Sequence, residues 1–199
     1  MRFHALAVCA ALALPAFALA DDKTPTDKTT DKTTDKTKTT GKLADAEVKT
    51  LAHVHHVNQM EIDMGKLAQQ KGTAAVKRYG EQLVKDHSAN DKDVLALAKK
   101  KGVAKLPVDV PDTEADKAEH KQMMDDMAKL KTQKGADFDR DFLNMMVAGH
   151  EKEMTKADTA LTQVTDTDLK DFLTAMKPVL QRHADSAREL QKGNAQAVR

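Results

Sequence analysis

The sequence predicts an all-α fold built on four long helices, and three observations carry that prediction. From Leu43 onward Ala, Lys, Leu, Met, Gln and Glu dominate, while Gly and Pro are few. Apolar residues in the same stretch recur at alternating spacings of four and three, which lines them along one face of a helix. Glycine and proline then fall where such helices have to stop.

Taken from the N-terminus, the chain opens with Arg2 and His4, then an apolar run from Ala5 to Ala20. Ala18-Leu19-Ala20 followed by Asp21-Asp22 reads as an A-x-A cleavage site, so residues 1–20 are expected to be a signal peptide. The run is short for a membrane span and has no stop-transfer flank. Cys9, the only cysteine, sits inside it; a lipid anchor would need the cysteine just after the apolar stretch. The processed chain is then expected to be periplasmic or secreted, with outer-membrane association left open, and to have neither disulfide nor thiolate chemistry nor a transmembrane span. Residues 21–42 repeat Thr-Thr-Asp-Lys with no large apolar side chain to bury, and read as a disordered tether.

Residues 43–193 are expected to form the bundle and 194–199 a short tail. The first helix should run from about Ala44 to Lys71 and end at Gly72, with a stripe of Leu51, Val54, Asn58, Glu61, Gly65 and Ala68, and Val48 one turn upstream. Thr73 caps the second, which reaches about Lys101 and stops at Gly102; its stripe is Val76, Gly80, Leu83, His87, Asn90, Val94 and Leu97. So short a connection makes the two helices antiparallel neighbours. An irregular stretch with Pro107 and Pro111 follows. Asp112 is the expected N-cap of a shorter helix from Thr113 to about Lys131, with Met123, Met127 and Leu130 facing the bundle.

After Gly135 the third long helix runs to about Val164 on Leu143, Val147, His150, Met154, Ala157, Leu161 and Val164. The fourth spans about Thr167 to Lys192 and ends at Gly193, on Leu169, Leu173, Met176, Leu180, His183, Ala187 and Leu190. Pro178 is expected to kink it one turn before His183. Two antiparallel hairpins joined by a long crossover with an extra short helix is the ferritin-like four-helix arrangement.

Each stripe is interrupted near its middle by polar residues: Glu61, His87, His150 and His183. Counted from their shared turn, His150 and His183 lie within ~3 Å of the same level, and Glu61 and His87 within ~5 Å. Three imidazoles and a carboxylate are a plausible ligand set for one divalent metal, zinc or alternatively iron, copper or manganese. Asn58 and Asn90, on the same stripes, could orient the imidazoles by hydrogen bonds. A di-iron site is excluded, because Val84, Val147 and Leu180 stand where Glu-x-x-His pairs would need glutamate. The alternative is a non-catalytic structural or stress-related interaction protein whose Glu/His layer is only a buried polar network that fixes helix register without any ion. A metal-dependent hydrolase would further need an open coordination position and a cleft.

His53, His55 and His56 form a second histidine cluster, extended by Met60 on the face of His56. Met123, Met124, Met127, Met145, Met146 and Met154 invite a copper reading, but a core with only Tyr79, Phe138, Phe142 and Phe172 as aromatics needs methionine as filler. Glu151 and Glu153 point elsewhere around the helix from His150 and read as a solvated face. No Gly-rich phosphate loop and no nucleophile elbow is present. Lys plus Arg total 32 against 31 Asp plus Glu, with no basic stripe interleaved with aromatics, which argues against nucleic acid as a partner. A homo-oligomer or an envelope partner is left open.

Four motifs resemble domain-of-unknown-function family 4142: Met60-Glu61-Ile62-Asp63-Met64-Gly65-Lys66-Leu67-Ala68; Leu83-Val84-Lys85-Asp86-His87 with Leu106-Pro107; Phe138-Asp139-Arg140 with Val147-Ala148-Gly149-His150-Glu151; and Asp168-Leu169-Lys170 with Pro178-Val179-Leu180-Gln181-Arg182-His183. The resemblance implies a ferritin-like bundle in an exported bacterial protein, sometimes described as a predicted outer-membrane protein. It implies no established activity. The chain has none of the alternating strands that a membrane barrel would require.

Overall fold

The structure, a computed structural model, describes residues 41–111 and 113–197. The expected signal peptide with Cys9, nearly all of the expected tether and the expected cap Asp112 lie outside them. Five helices follow in order: α1 (Asp45–Lys71), α2 (Ala74–Lys100), α3 (Glu114–Thr132), α4 (Gly135–Gln163) and α5 (Thr167–Ala197). Among the described residues there is no strand, and no helix is long and apolar enough to cross a membrane.

Helices α1 and α2 form an antiparallel hairpin that closes unusually tightly at one point. A Cβ on Gly65 would stand 2.7 Å from the Gly80 carbonyl oxygen, and one on Gly80 would stand 2.6 Å from that of Gly65. Both are closer than real Cβ contacts, so the paired glycines let the two backbones meet and set their register. Helices α4 and α5 form the second hairpin. The hairpins face one another with α2 against α5 and α1 against α4, so α1 and α5 are diagonal partners, as are α2 and α4. Helix α3 rides outside on α4, and Leu130 is its one buried residue.

The helix ends follow local chemistry, with some departures from expectation. Gly102 adopts φ +77° and its amide donates to the Lys99 carbonyl, while Val103 donates to Ala98, a left-handed glycine stop. Gly72 ends α1 in extended backbone instead; it is required because a Cβ there would meet Val76 Cγ1 at 2.7 Å. Thr73 does start α2, but its hydroxyl and amide both donate to Asp139 of α4 rather than closing a cap. Thr113 caps α3, accepting from the Asp116 amide at 3.1 Å. Helix α5 runs past the expected stop at Gly193 to Ala197. Gly193 is exposed with open space around it, and Ala195, Gln196 and Ala197 beyond it favour helix over a turn.

The stripes bury as two separate apolar cores. One gathers Leu51, Val54, Val94, Leu97, Leu169, Leu173 and Leu180, the other Met64, Ala68, Val76, Leu83, Phe138, Phe142 and Met146. On every long helix the polar interruption falls between them. The bundle therefore has a polar layer at mid-height, sealed above and below by hydrocarbon.

Candidate metal centre

His87 from α2, His150 from α4 and His183 from α5 come together in that layer, each at most 4% exposed. Their ring centroids are 5.1 to 5.8 Å apart, and one nitrogen from each lies within 4.8 Å of the other two. This spacing could hold a metal ion.

Hydrogen bonding decides which nitrogens face inward. Asn58 Nδ2 donates to Asn90 Oδ1 at 2.8 Å, which turns Asn58 Oδ1 toward His87. His87 Nδ1–H therefore donates to that oxygen at 2.9 Å. His150 Nδ1–H donates to the Met146 carbonyl at 2.7 Å, an oxygen that can only accept. His183 Nε2–H donates to Asp86 Oδ2 at 2.9 Å, and Gln82 holds the same carboxylate in place at 2.7 Å. Each ring thus spends its proton on an outer partner, the arrangement found around metal-bound histidines. The nitrogens left are His87 Nε2, His150 Nε2 and His183 Nδ1. Neutral rings would carry lone pairs there.

Two of the rings, His87 and His183, are held toward neutrality. Burial, with His150 and His183 as neighbours, pushes His87 down to about 3. Burial also lowers His183, against the opposing pull of Asp86. His183 Nδ1 and His150 Nε2 then stand 3.2 Å apart, lone pair to lone pair, unless a cation lies between them. Two nitrogens on one tetrahedral ion, each at about 2.0–2.1 Å, would be about 3.3 Å apart. His87 Nε2 is buried and has no hydrogen-bond partner among the described residues. An orphaned buried nitrogen costs about 1–3 kcal/mol, which a bound ion would relieve.

Glu61 is buried on α1 in the same layer but stands outside the close set of three. Its Oε2 also has no partner among the described residues, and burial raises its pKa although His150 pulls it down. A cleft of about 280 Å³ opens along the α2–α5 side and reaches Asn58, Asp86, His87 and Asn90.

The other sequence candidates separate. His53 bonds Asp109 at 2.8 Å and Glu153 at 3.0 Å; burial lowers its pKa, but these carboxylates outweigh burial and raise it. His55 bonds Asp91 at 2.6 Å, and His56 faces His120 of α3. The three histidines of the cluster therefore do not converge. Glu151 pairs with Arg188 at the surface as expected. Glu153 does not join a solvated face: three residues beyond His150 it is turned toward α1, with its side chain 18% exposed. Met146 is buried core, and Met127, Met145 and Met154 pack against the cores. Asp86 and the Met146 carbonyl were not among the residues singled out by spacing. The signal for Asp86 was its place directly before His87, which turns it about 100° around α2 toward α5.

No curated protein and no solved structure matches the chain. The family model described as a domain of unknown function (DUF4142) matches residues 32–190, so four-fifths of the chain, His87, His150 and His183 included, belongs to that family.

Proposed function

We propose that this protein is an exported ferritin-like four-helix bundle that holds one divalent metal ion through His87, His150 and His183. The observation that carries the reading is the set of three inward nitrogens, each ring anchored from behind by Asn58, the Met146 carbonyl or Asp86. Zinc suits three neutral imidazoles, and iron, copper and manganese are the alternatives. Glu61 is the proposed source of the compensating negative charge, being buried in the layer with an unpartnered oxygen. The signal peptide and tether read from residues 1–42 supply the proposed periplasmic or secreted location.

One contact favours the alternative, a polar network without an ion. If His183 carries both protons against Asp86, its Nδ1 donates to His150 Nε2 and most of the layer is satisfied. His87 Nε2 and Glu61 Oε2 would still be orphaned. Metal content of the protein purified without chelator separates the readings. A bound ion predicts near-stoichiometric metal in the wild type and little in His87→Ala and His183→Ala, with a chelator-sensitive Tm only in the wild type. A network predicts no metal after incubation with zinc, copper, iron and manganese, and tolerance of joint apolar replacement of His150 and His183.

A further inference from the structure

A groove bounded by α1, the crossover, α3 and α4 holds a second set of ligating side chains. It encloses about 690 Å³, and its lining includes His56 and Met60 from α1 and His120 and Met123 from α3. His56 and Met60 are one turn apart on one face, and His120 and Met123 are likewise neighbours at a spacing of three. Across the groove the two imidazoles stand 6.4 Å apart, centroid to centroid, tilted by 37°. All four residues are half-buried.

These rings differ from the histidines beside them. His53 and His55 are committed to carboxylates, whereas among the described residues neither His56 nor His120 has a hydrogen-bond partner. The carboxylates in the groove are also engaged: Glu119 with Lys152 and Lys156, Asp109 and Glu153 with His53, and Asp116 with the Thr113 amide and hydroxyl. What remains for a ligand is two imidazoles and two thioethers, a neutral and soft donor set. Thioethers select copper(I) over harder divalent ions, and imidazole accepts it. Two imidazoles on one tetrahedral ion, each nitrogen about 2.0–2.1 Å from it, place their centroids roughly 5 Å apart, so the two rings have to close by about 1 Å on binding.

We infer that His56, Met60, His120 and Met123 form a second metal site, selective for copper(I), that bridges α1 and α3. The ion would staple the N-terminal half of α3, which no buried residue of its own holds to the bundle.

The test titrates the full chain anaerobically with copper(I) against a colorimetric copper(I) chelator, repeats it with silver(I) as a redox-inert probe, and follows hydrogen exchange in α3. Expected are one tightly bound copper(I) in the wild type and in His87→Ala, at least tenfold weaker binding in Met60→Leu/Met123→Leu, and loss in His56→Ala/His120→Ala. Loading should slow exchange in the N-terminal half of α3 in the wild type and in His87→Ala, and not in His56→Ala/His120→Ala. Copper(I) lost from His87→Ala but kept by His56→Ala/His120→Ala would assign the ion to the mid-bundle triad and overturn the proposal. So would unchanged affinity in the methionine double variant, or no binding by the wild type.

Discussion

His87 is aimed by a neighbour that touches nothing it would ligate. Asn58 takes its Nδ1 proton and is itself held by Asn90, so two amides set which nitrogen of one ring faces inward. Asn58→Leu keeps the volume but removes the acceptor. It should weaken zinc binding by roughly 10–100-fold, as loss of an orienting partner does. The check is a competition titration with a zinc chelator, beside the Tm of the zinc-free protein. Unchanged affinity would show that the ring needs no aiming. Asp86→Asn should act in the same direction through His183. Spacing alone placed His87, His150, His183 and Asn58 in one layer, because depth along a helix is arithmetic on residue number. Rotation about the axis and the partner across the seam are not. That is why Glu61, level with the rings, stands outside their close set, why Asp86 was missed, and why Glu153 faces inward on His53.

At the scale of elements, the α1–α2 hairpin sets the register of the whole layer. Gly65 and Gly80 let the backbones touch, and Asn58 meets His87 two turns further along the same seam. Gly80→Ala would force a methyl group against the Gly65 carbonyl and the Ala68 side chain. Overpacking of this kind costs about 1–3 kcal/mol. Denaturant unfolding of the metal-free protein should show that loss with an unchanged m-value, whereas a shift below about 0.5 kcal/mol would mean that the hairpin yields without cost. Helix existence and order were legible because each stripe is long and its period unambiguous. Helix ends were legible only where one residue decides, as at Gly102 with its positive φ. At Gly193 the exposed surroundings make no demand on the residue, so a glycine that looked like a stop does not act as one.

At the scale of the molecule, the two hairpins are held together at one end by a buried carboxylate. Glu47 at the start of α1 accepts from the Ala44 amide with one oxygen, and from the Thr165 amide and hydroxyl and the Asp166 amide with the other. It thereby ties α1 to the α4–α5 turn, beside the Lys101 ion pairs with Asp166 and Asp168. Burial alone would raise its pKa, but the backbone donors outweigh burial and bring it down from 4.5 to about 2. A carboxylate depressed in the folded state stabilises fully above its unfolded value and loses that contribution as pH falls through its folded one. Glu47→Ala should therefore cost about 2–3 kcal/mol at neutral pH, the worth of hydrogen bonds to a charged group. The deficit relative to wild type should hold down to about pH 4.5 and narrow toward pH 2. His87, with a folded pKa of about 3 against an ordinary 6.5, erodes stability over a different window, beginning below pH 6.5. That loss is common to both proteins and cancels in the difference. Urea unfolding of the pair from pH 7 to pH 2, with chelator throughout, isolates the clamp: a deficit that stayed constant across the range would mean that Glu47 acts through packing and not through its charge.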